Sequence, residues 1–431
     1  MKKVLATILA LVMAIGLCSV SWATAPASVN SADALKSAIE TGGAITLSGN
    51  IEVSQALSVS KKVTIDLNGQ TITGKNGEYG CRVFNVVAGG SLTLTGSGTI
   101  TTANQNDTTT FPDNSSVIRV GDNDNTNGAA CGLVVGKDVK IIAPASYGVA
   151  VFGTNTKQTL EVNGTVTSDK ACAISGNGSA GFTATEITIN DGAKITSNDN
   201  VAIYHPQAGT LTVKAATITG RGGIEIKSGT ASVDVAGANI KATGSVDHTE
   251  NNDGTSSRGY AIAVVENPRY KGAPSAVIQN GDFVGAMGIL KDGEVSAEEK
   301  KGNLAIHAGS FTVNVNDYVT DNTPVASNNG TYYVGETTIQ NAANNLSAGQ
   351  QLKIEKGTVA INGAEYSADG NATYTKPSSG GYYYYPSTSD TTTSTTTKGS
   401  PKTFDAGIAL YVGMALTSVT GVAFVGKKRE D

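Results

Sequence analysis

The segment Thr210-Leu-Thr-Val-Lys-Ala-Ala-Thr-Ile-Thr-Gly-Arg-Gly-Gly-Ile-Glu-Ile-Lys-Ser-Gly229 is one unit of a repeat. Leu211 and Val213 alternate with Thr212 and Lys214, a small-residue turn leads to Ile218, and glycines separate it from Ile224 and Ile226. Period-two alternation over such short runs reads as two or three strands per unit. The same grammar recurs at Ile65/Leu67/Ile72, Leu92/Leu94/Ile100, Leu160/Val162/Val166, Ile187/Ile189/Ile195, Val233/Val235/Ile240, Val277/Ile278/Phe283 and Leu304/Ile306/Phe311. With Leu67, Leu94, Val135, Val162, Ile189, Val213, Val235, Ile278 and Ile306 as equivalents, most steps are roughly 22 to 28 residues and two are longer, the mark of a repeat architecture.

A unit rich in Val, Ile and Thr, with Gly and Asn at its corners, cannot bury its own apolar face, so units must stack. Winding them into a coil sets one aliphatic side chain above the next and pairs each strand with neighbours about 4.8 Å away. About nine rungs then make a rod roughly 40 Å long. A leucine-rich horseshoe would show an asparagine-centred Leu pattern, which is absent, and a propeller needs longer units of four antiparallel strands. The expectation is an all-β chain, a right-handed single-stranded parallel β-helix (solenoid) over 24–317, with a short N-terminal capping helix and a small C-terminal cap. Through Val63-Thr-Ile-Asp-Leu-Asn-Gly-Gln-Thr-Ile72 and the rungs after it, about residues 30–330, the chain resembles the pectate-lyase-like β-helix superfamily, in particular its bacterial surface members. The resemblance is architectural and rests on no catalytic motif.

Residues 1–23 read as a signal peptide: basic Lys2 and Lys3, an apolar run from Val4 to Val20, then Ser21-Trp22-Ala23, with cleavage between Ala23 and Thr24. A lipoprotein signal at Cys18 is the rival, with Leu17 where a small residue is expected. Near the other end, 374–399 is a Ser/Thr/Tyr-rich stalk that cannot form a core. Its tyrosines Tyr382 to Tyr385 either stack on wall sugars or simply extend the linker. Residues 400–431 then combine Ser400-Pro401-Lys402-Thr403-Phe404, an apolar segment 406–426 long enough to cross a bilayer, and basic Lys427-Lys428-Arg429. This order resembles the cell-wall sorting signal of Gram-positive surface proteins, a Leu-Pro-x-Thr-Gly-like pentapeptide followed by an apolar segment and a basic tail. Pro401 and Thr403 match; Ser400 stands for Leu and Phe404 for Gly. The resemblance implies that a sortase attacks the carbonyl of Thr403, Phe404 leaves, and an amine of the peptidoglycan precursor takes the acyl group. A tail anchor without processing is the alternative.

Ser31 to Gly42 has Ala34, Leu35, Ala38 and Ile39 at helical spacing between a polar start and a closing Gly, so a helix is expected across the open end of the stack. After Phe311 the rungs lose regularity, and 318–373 is expected to be a C-terminal cap or small α+β module with a helix at Thr337–Leu346 and strands starting at Gln351 and Thr358. Two insertions break the period. The first, about 101–128, carries Asp122 and Asp124, which could ligate calcium but lack the spaced acidic framework of a known loop. The second, about 243–258, carries Asp247, His248, Glu250 and Arg258 and is expected to project as a recognition loop or spacer.

Loss of leader and tail removes five basic and three acidic residues and takes the formal net charge from −5 to about −7. Such a surface offers no electrostatic footprint for nucleic acid. Cys81, Cys131 and Cys172 lack metal-ligand spacing and read as small buried fillers, with a disulfide between two of them as the alternative. Polysaccharide cleavage needs paired acid and base groups at fixed separation. Asp66, Asp191, Asp199, Asp234 and Glu225 do not share a rung position, and His205, His248 and His307 are scattered, so no catalytic, metal or cofactor site is assigned. One column is set apart. Aligning Val149-Ala-Val151, Cys172-Ala-Ile174, Val201-Ala-Ile203, Ile224-Glu-Ile226 and Met287-Gly-Ile289 makes a shallow outer trough, with Tyr204, Glu225 and Lys227 as candidate glycan contacts.

The expected role is adhesion or glycan/protein binding at the Gram-positive cell surface, with sortase and peptidoglycan as partners and a polysaccharide or host-surface ligand. A surface polysaccharide lyase or glycoside hydrolase, and a structural spacer, are the alternatives. Wall-released protein is expected to end at Thr403; mass spectrometry that finds Asp431 on the mature surface form would exclude sorting.

Overall fold

The structure, a computed structural model, describes residues 26–75, 82–103, 116–121, 129–152, 156–176, 185–227, 231–270 and 274–378, with backbone alone at 231–234. Ala23 and Thr24, Cys18 and Cys81, Asp122 and Asp124, the stalk beyond 378, the Ser400–Phe404 motif and segment 406–426 lie outside the described residues. Among the described residues no helix is long and apolar enough to cross a membrane. The chain separates into a unit ending at Gly381 and a second, Tyr382–Asp431; all described residues belong to the first.

That unit is a parallel β-helix with three faces. Its first full coil runs through Gly43–Leu47, Ile51–Val53 and Leu57–Val59, one strand per face. The first and second faces belong to one 23-stranded sheet and the third is a separate nine-stranded sheet. Two strands, Ala231–Ala242 and Ser275–Val284, run unbroken around the corner between the first two faces, with register shifts after Val235 where the chain bends.

Parallel register explains the repeat. On the first face Ile45, Ile65, Leu94, Val135, Val162, Ile189, Val213, Val235, Ile278 and Ile306 are successive partners. The second face stacks Ile51, Ile72, Ile100, Ile141, Val166, Ile195, Ile218, Ile240, Phe283 and Phe311 in the same way. All are buried, and the ladder ends with Phe283 and Phe311 stacked at 4.9 Å between ring centroids. Each fully buried aliphatic side chain contributes roughly 1.5–3 kcal/mol relative to exposure. Between these rows Thr73, Thr101, Thr167, Thr196 and Thr219 face outward in one column, interrupted by Ile142. β-branched threonine suits such a half-covered pleated surface.

Two equivalences differ from the sequence alignment. Ile65, not Leu67, is the partner of Leu94, because the strand ends at Asp66 and Leu67 already lies in the corner before Asn68 and Gly69. Those two residues hold φ of 48° and 79°, the left-handed pair of a tight turn. Ala276 rather than Val277 shares the inward row with Ile278, as its pairing with Leu304 shows.

Both ends of the stack are closed. Helix α1, Ala32–Thr41, starts at Ser31, whose side chain accepts a bond from the Ala34 amide at 3.3 Å, and buries Leu35 and Ile39 against the first coil. A short strand, Ala27–Val29, precedes it and pairs with Gly43–Leu47. At the other end Gly309–Phe311 is met antiparallel by Thr331–Val334, which forms a hairpin with Val325–Asn328 through Asn329 and Gly330. An antiparallel strand there occupies the edge that would otherwise receive another coil. Helix α2, Ala297–Asn303, carries a Ser296/Glu299 capping box, and helix α3, Glu336–Asn345, packs Ile339, Ala342 and Ala343 into a second small core with Leu352, Ile354 and Tyr374.

Ile195→Ala should cost about 2–5 kcal/mol in chemical denaturation, whereas Thr196→Ala, one residue along and facing outward, should stay within about 0.5 kcal/mol. Equal losses would mean that the second-face register is wrong.

Candidate functional site

The third face presents its outward column beneath the second insertion. Register pairs Arg119 with Ala150, Ala150 with Ser175, Tyr204 with Glu225, Glu225 with Ala263 and Ala263 with Gly288. Ile174 pairs with Ile203, which sets Ser175 beside Tyr204. The expected alignment is therefore slipped by two residues at Cys172-Ala-Ile174 and Val201-Ala-Ile203. Cys172 and Val201 lie with Tyr204 in a separate cluster outside the main core. The slip brings Tyr204 and Glu225 into direct register.

The open trough is not present. Tyr204, Glu225 and Lys227 are 4%, 0% and 1% exposed, because residues 244–259 fold back over the face as a strap. Its base is fixed by Gly259, at φ 79°, where a Cβ would stand 2.5 Å from the Val246 nitrogen. Nearby, the Asp247 amide donates to the Arg258 carbonyl at 3.0 Å. Its tip turns at Gly254, φ 85°, where a Cβ would meet the Tyr204 hydroxyl at 2.9 Å. Asp253 shapes that turn by accepting the Thr255 amide and hydroxyl at 3.1 and 2.8 Å. Asn200 then ties the turn to the coil, donating to Asp253 at 2.6 Å and accepting from Thr255 at 3.0 Å.

At the centre is a buried carboxylate. Glu225 accepts the Ser256 amide at 2.7 Å, the Ser256 hydroxyl at 3.0 Å and the Ser257 hydroxyl at 2.8 Å, all from the strap. Lys227 lies 3.7 Å away, pairs with Glu250 at 3.0 Å and donates to the Gly254 carbonyl. Burial pushes the Glu225 carboxyl above its usual range, against the pull of Lys227 and the serine donors. Its lone pairs face donors on several sides, so in this state it is a tether and not an accessible base. Arg269 and, more weakly, Lys227 draw Glu250 below its usual range by hydrogen bonding. The Arg269 side chain is 66% exposed, so that outer pair adds little. The Tyr270 hydroxyl lies 3.1 Å from that of Tyr204, and its ring faces the Lys227 ammonium at 5.7 Å.

The other titratable groups are placed separately. Burial holds His205 at about 4, while His248 and His307 are exposed. Asp66 caps the Asn68 amide, Asp191 the Ala215 amide, and Asp199 pairs with Lys170 at 2.6 Å. The Asp234 side chain is outside the described residues. Cys131 and Cys172 are buried, and burial raises the Cys172 thiol far above its usual value. Among the described residues no group of three His, Cys, Asp or Glu side chains could hold a metal ion. Ser256, Ser257, Asn200 and Tyr270 join the site only through folding; the pair of hydroxyls beside Arg258 is the one local hint of them.

No protein family, curated protein or solved structure matches this chain.

Lys227→Met keeps the side-chain bulk but leaves Glu225 and the Gly254 carbonyl without their cation. Removing one partner of such a buried pair typically costs about 3–5 kcal/mol. Faster hydrogen exchange and new protease cleavage within 248–258 are expected, with Ile195 and its neighbours still protected. An equally protected strap would show that the network does not hold it.

Proposed function

We propose that the chain is a non-catalytic protein of the Gram-positive cell surface, anchored to peptidoglycan by a sortase acting at Thr403, whose β-helix binds glycan or protein ligands. The observation that carries the reading is the order of its C-terminal sequence: stalk, Ser400-Pro401-Lys402-Thr403-Phe404, apolar segment and basic tail. The architecture is compatible with display. A coil closed at both ends by α1 and the antiparallel hairpin leaves its flanks, not its edges, as contact surface. The pectate-lyase-like likeness belongs to the same proposal, as a relation of architecture.

A second reading follows from one observation. Glu225, pushed upward by burial beside Lys227 under a strap, has the ingredients of an acid and a cation that opening would expose. On that reading the chain is a surface polysaccharide lyase or glycoside hydrolase.

Full-length protein incubated with plant, mucosal and bacterial polysaccharides, scored for retention and polymer chain length, separates the two. Retention without shortening is the expected result, shortened polymer would establish the enzyme, and neither signal across glycan and host-protein panels would exclude binding.

A further inference from the structure

A concavity lies where the cap meets the last coils. It is a groove of about 740 Å³, walled on one side by the bend of Ser275–Val284 and on the other by α3, with Tyr333 of the hairpin between them. Its volume falls within the range of small-ligand clefts, about 300–1,000 Å³.

The chemistry of the walls is narrow. Gln279 and Asn280 face Asn341 and Asn345 across the opening, and all four are exposed. The side-chain amides of Gln279, Asn341 and Asn345 have no intramolecular partner among the described residues. Other groups are already committed: Asp282 accepts from Ser310, Asn328 donates to the Gln351 carbonyl at 2.7 Å, and Gln350 accepts the Ser347 amide at 2.8 Å. The committed groups shape the groove and the three free amides point to a ligand.

Helix α3 adds an independent argument. Thr337, Asn341 and Asn345 follow one another at four-residue spacing, so they form a row along the groove while Ile339, Ala342 and Ala343 pack inward. Thr and Asn are weak helix formers, each some tenths of a kcal/mol poorer than Ala, to about 0.7. A row of them on an exposed flank breaks the local rule without a packing reason. Such departures concentrate at functional positions.

We infer that this groove is a binding site for a neutral oligosaccharide. Each sugar hydroxyl both donates and accepts, and a carboxamide is the side chain that does both through separate atoms. Tyr333 supplies the aromatic surface that sugar C–H groups pack against. Among the described residues no Lys, Arg or His lines the groove, and the one carboxylate there is Asp282, so a uronate or sulfated chain would meet a carboxylate without a counter-charge. The inference rests on the binding reading above and gives it a location and a ligand class.

The test titrates full-length protein with neutral glucan, mannan and galactan oligosaccharides, with oligogalacturonate as the acidic control. Binding of at least one neutral series is expected. Asn341→Ala/Asn345→Ala should weaken it at least about tenfold while the melting temperature holds, because both side chains are exposed. Binding that survives the double variant would place the ligand elsewhere and overturn the groove, leaving surface binding intact. Preference for oligogalacturonate, or no neutral oligosaccharide bound by the unmodified chain, would overturn the ligand class.

Discussion

The structure depends on one constraint: a single coil of this chain has an apolar inner face and nothing of its own to cover it. Burial comes only from the coils above and below, so aliphatic residues must recur at the same point of every turn. Ile72, Ile100, Ile141, Val166, Ile195, Ile218 and Ile240 meet that demand in unbroken register. Parallel pairing then satisfies the backbone along two directions, and the outward columns are released from packing duty. This is why threonine, a residue that fits a pleated surface without needing a core, can fill them.

The same constraint makes the ends hazardous. An open terminal coil shows unpaired backbone and apolar side chains, a template for another chain. Leu35 and Ile39 of α1 cover the first coil, and the chain reverses direction at the last one. In turning away from the coil axis the cap also creates a concave junction. A regular stack of this kind offers flat faces, so a concavity arises where the repeat is interrupted.

Interruption also accounts for the buried network. The strap could lie on the third face only because Glu225 and Lys227 meet matching donors and acceptors there. A buried ion pair is costly unless every remaining lone pair and proton is engaged. Ser256, Ser257, Glu250 and the Gly254 carbonyl supply that engagement from outside the coil. The cost of desolvation thus turns into positional specificity for the insertion.

Much of the coil was legible without coordinates, because period-two alternation and the spacing of aliphatic rows are local signals that stacking directly requires. Ala34, Leu35, Ala38 and Ile39 likewise announced α1 through helical spacing, and Asn68-Gly69 its corner. Other local signals were present but unread: Asn329-Gly330 and Asn362-Gly363 each close a two-residue hairpin, and Ser296-x-x-Glu299 opens α2. The outer column was not legible. Apolar-Ala-apolar triplets look alike wherever they sit, so the two-residue slip at Cys172 and Val201 could be resolved only by pairing with the strands of the adjacent coils. By itself the sequence determined the repeat, most of the inward rows and helices α1 and α3, since those follow from patterns within a few residues. Only the tertiary structure decided that Tyr204, Glu225 and Lys227 lie covered and that the groove beside α3 exists, because both arise from segments far apart in the chain whose contacts no local periodicity encodes.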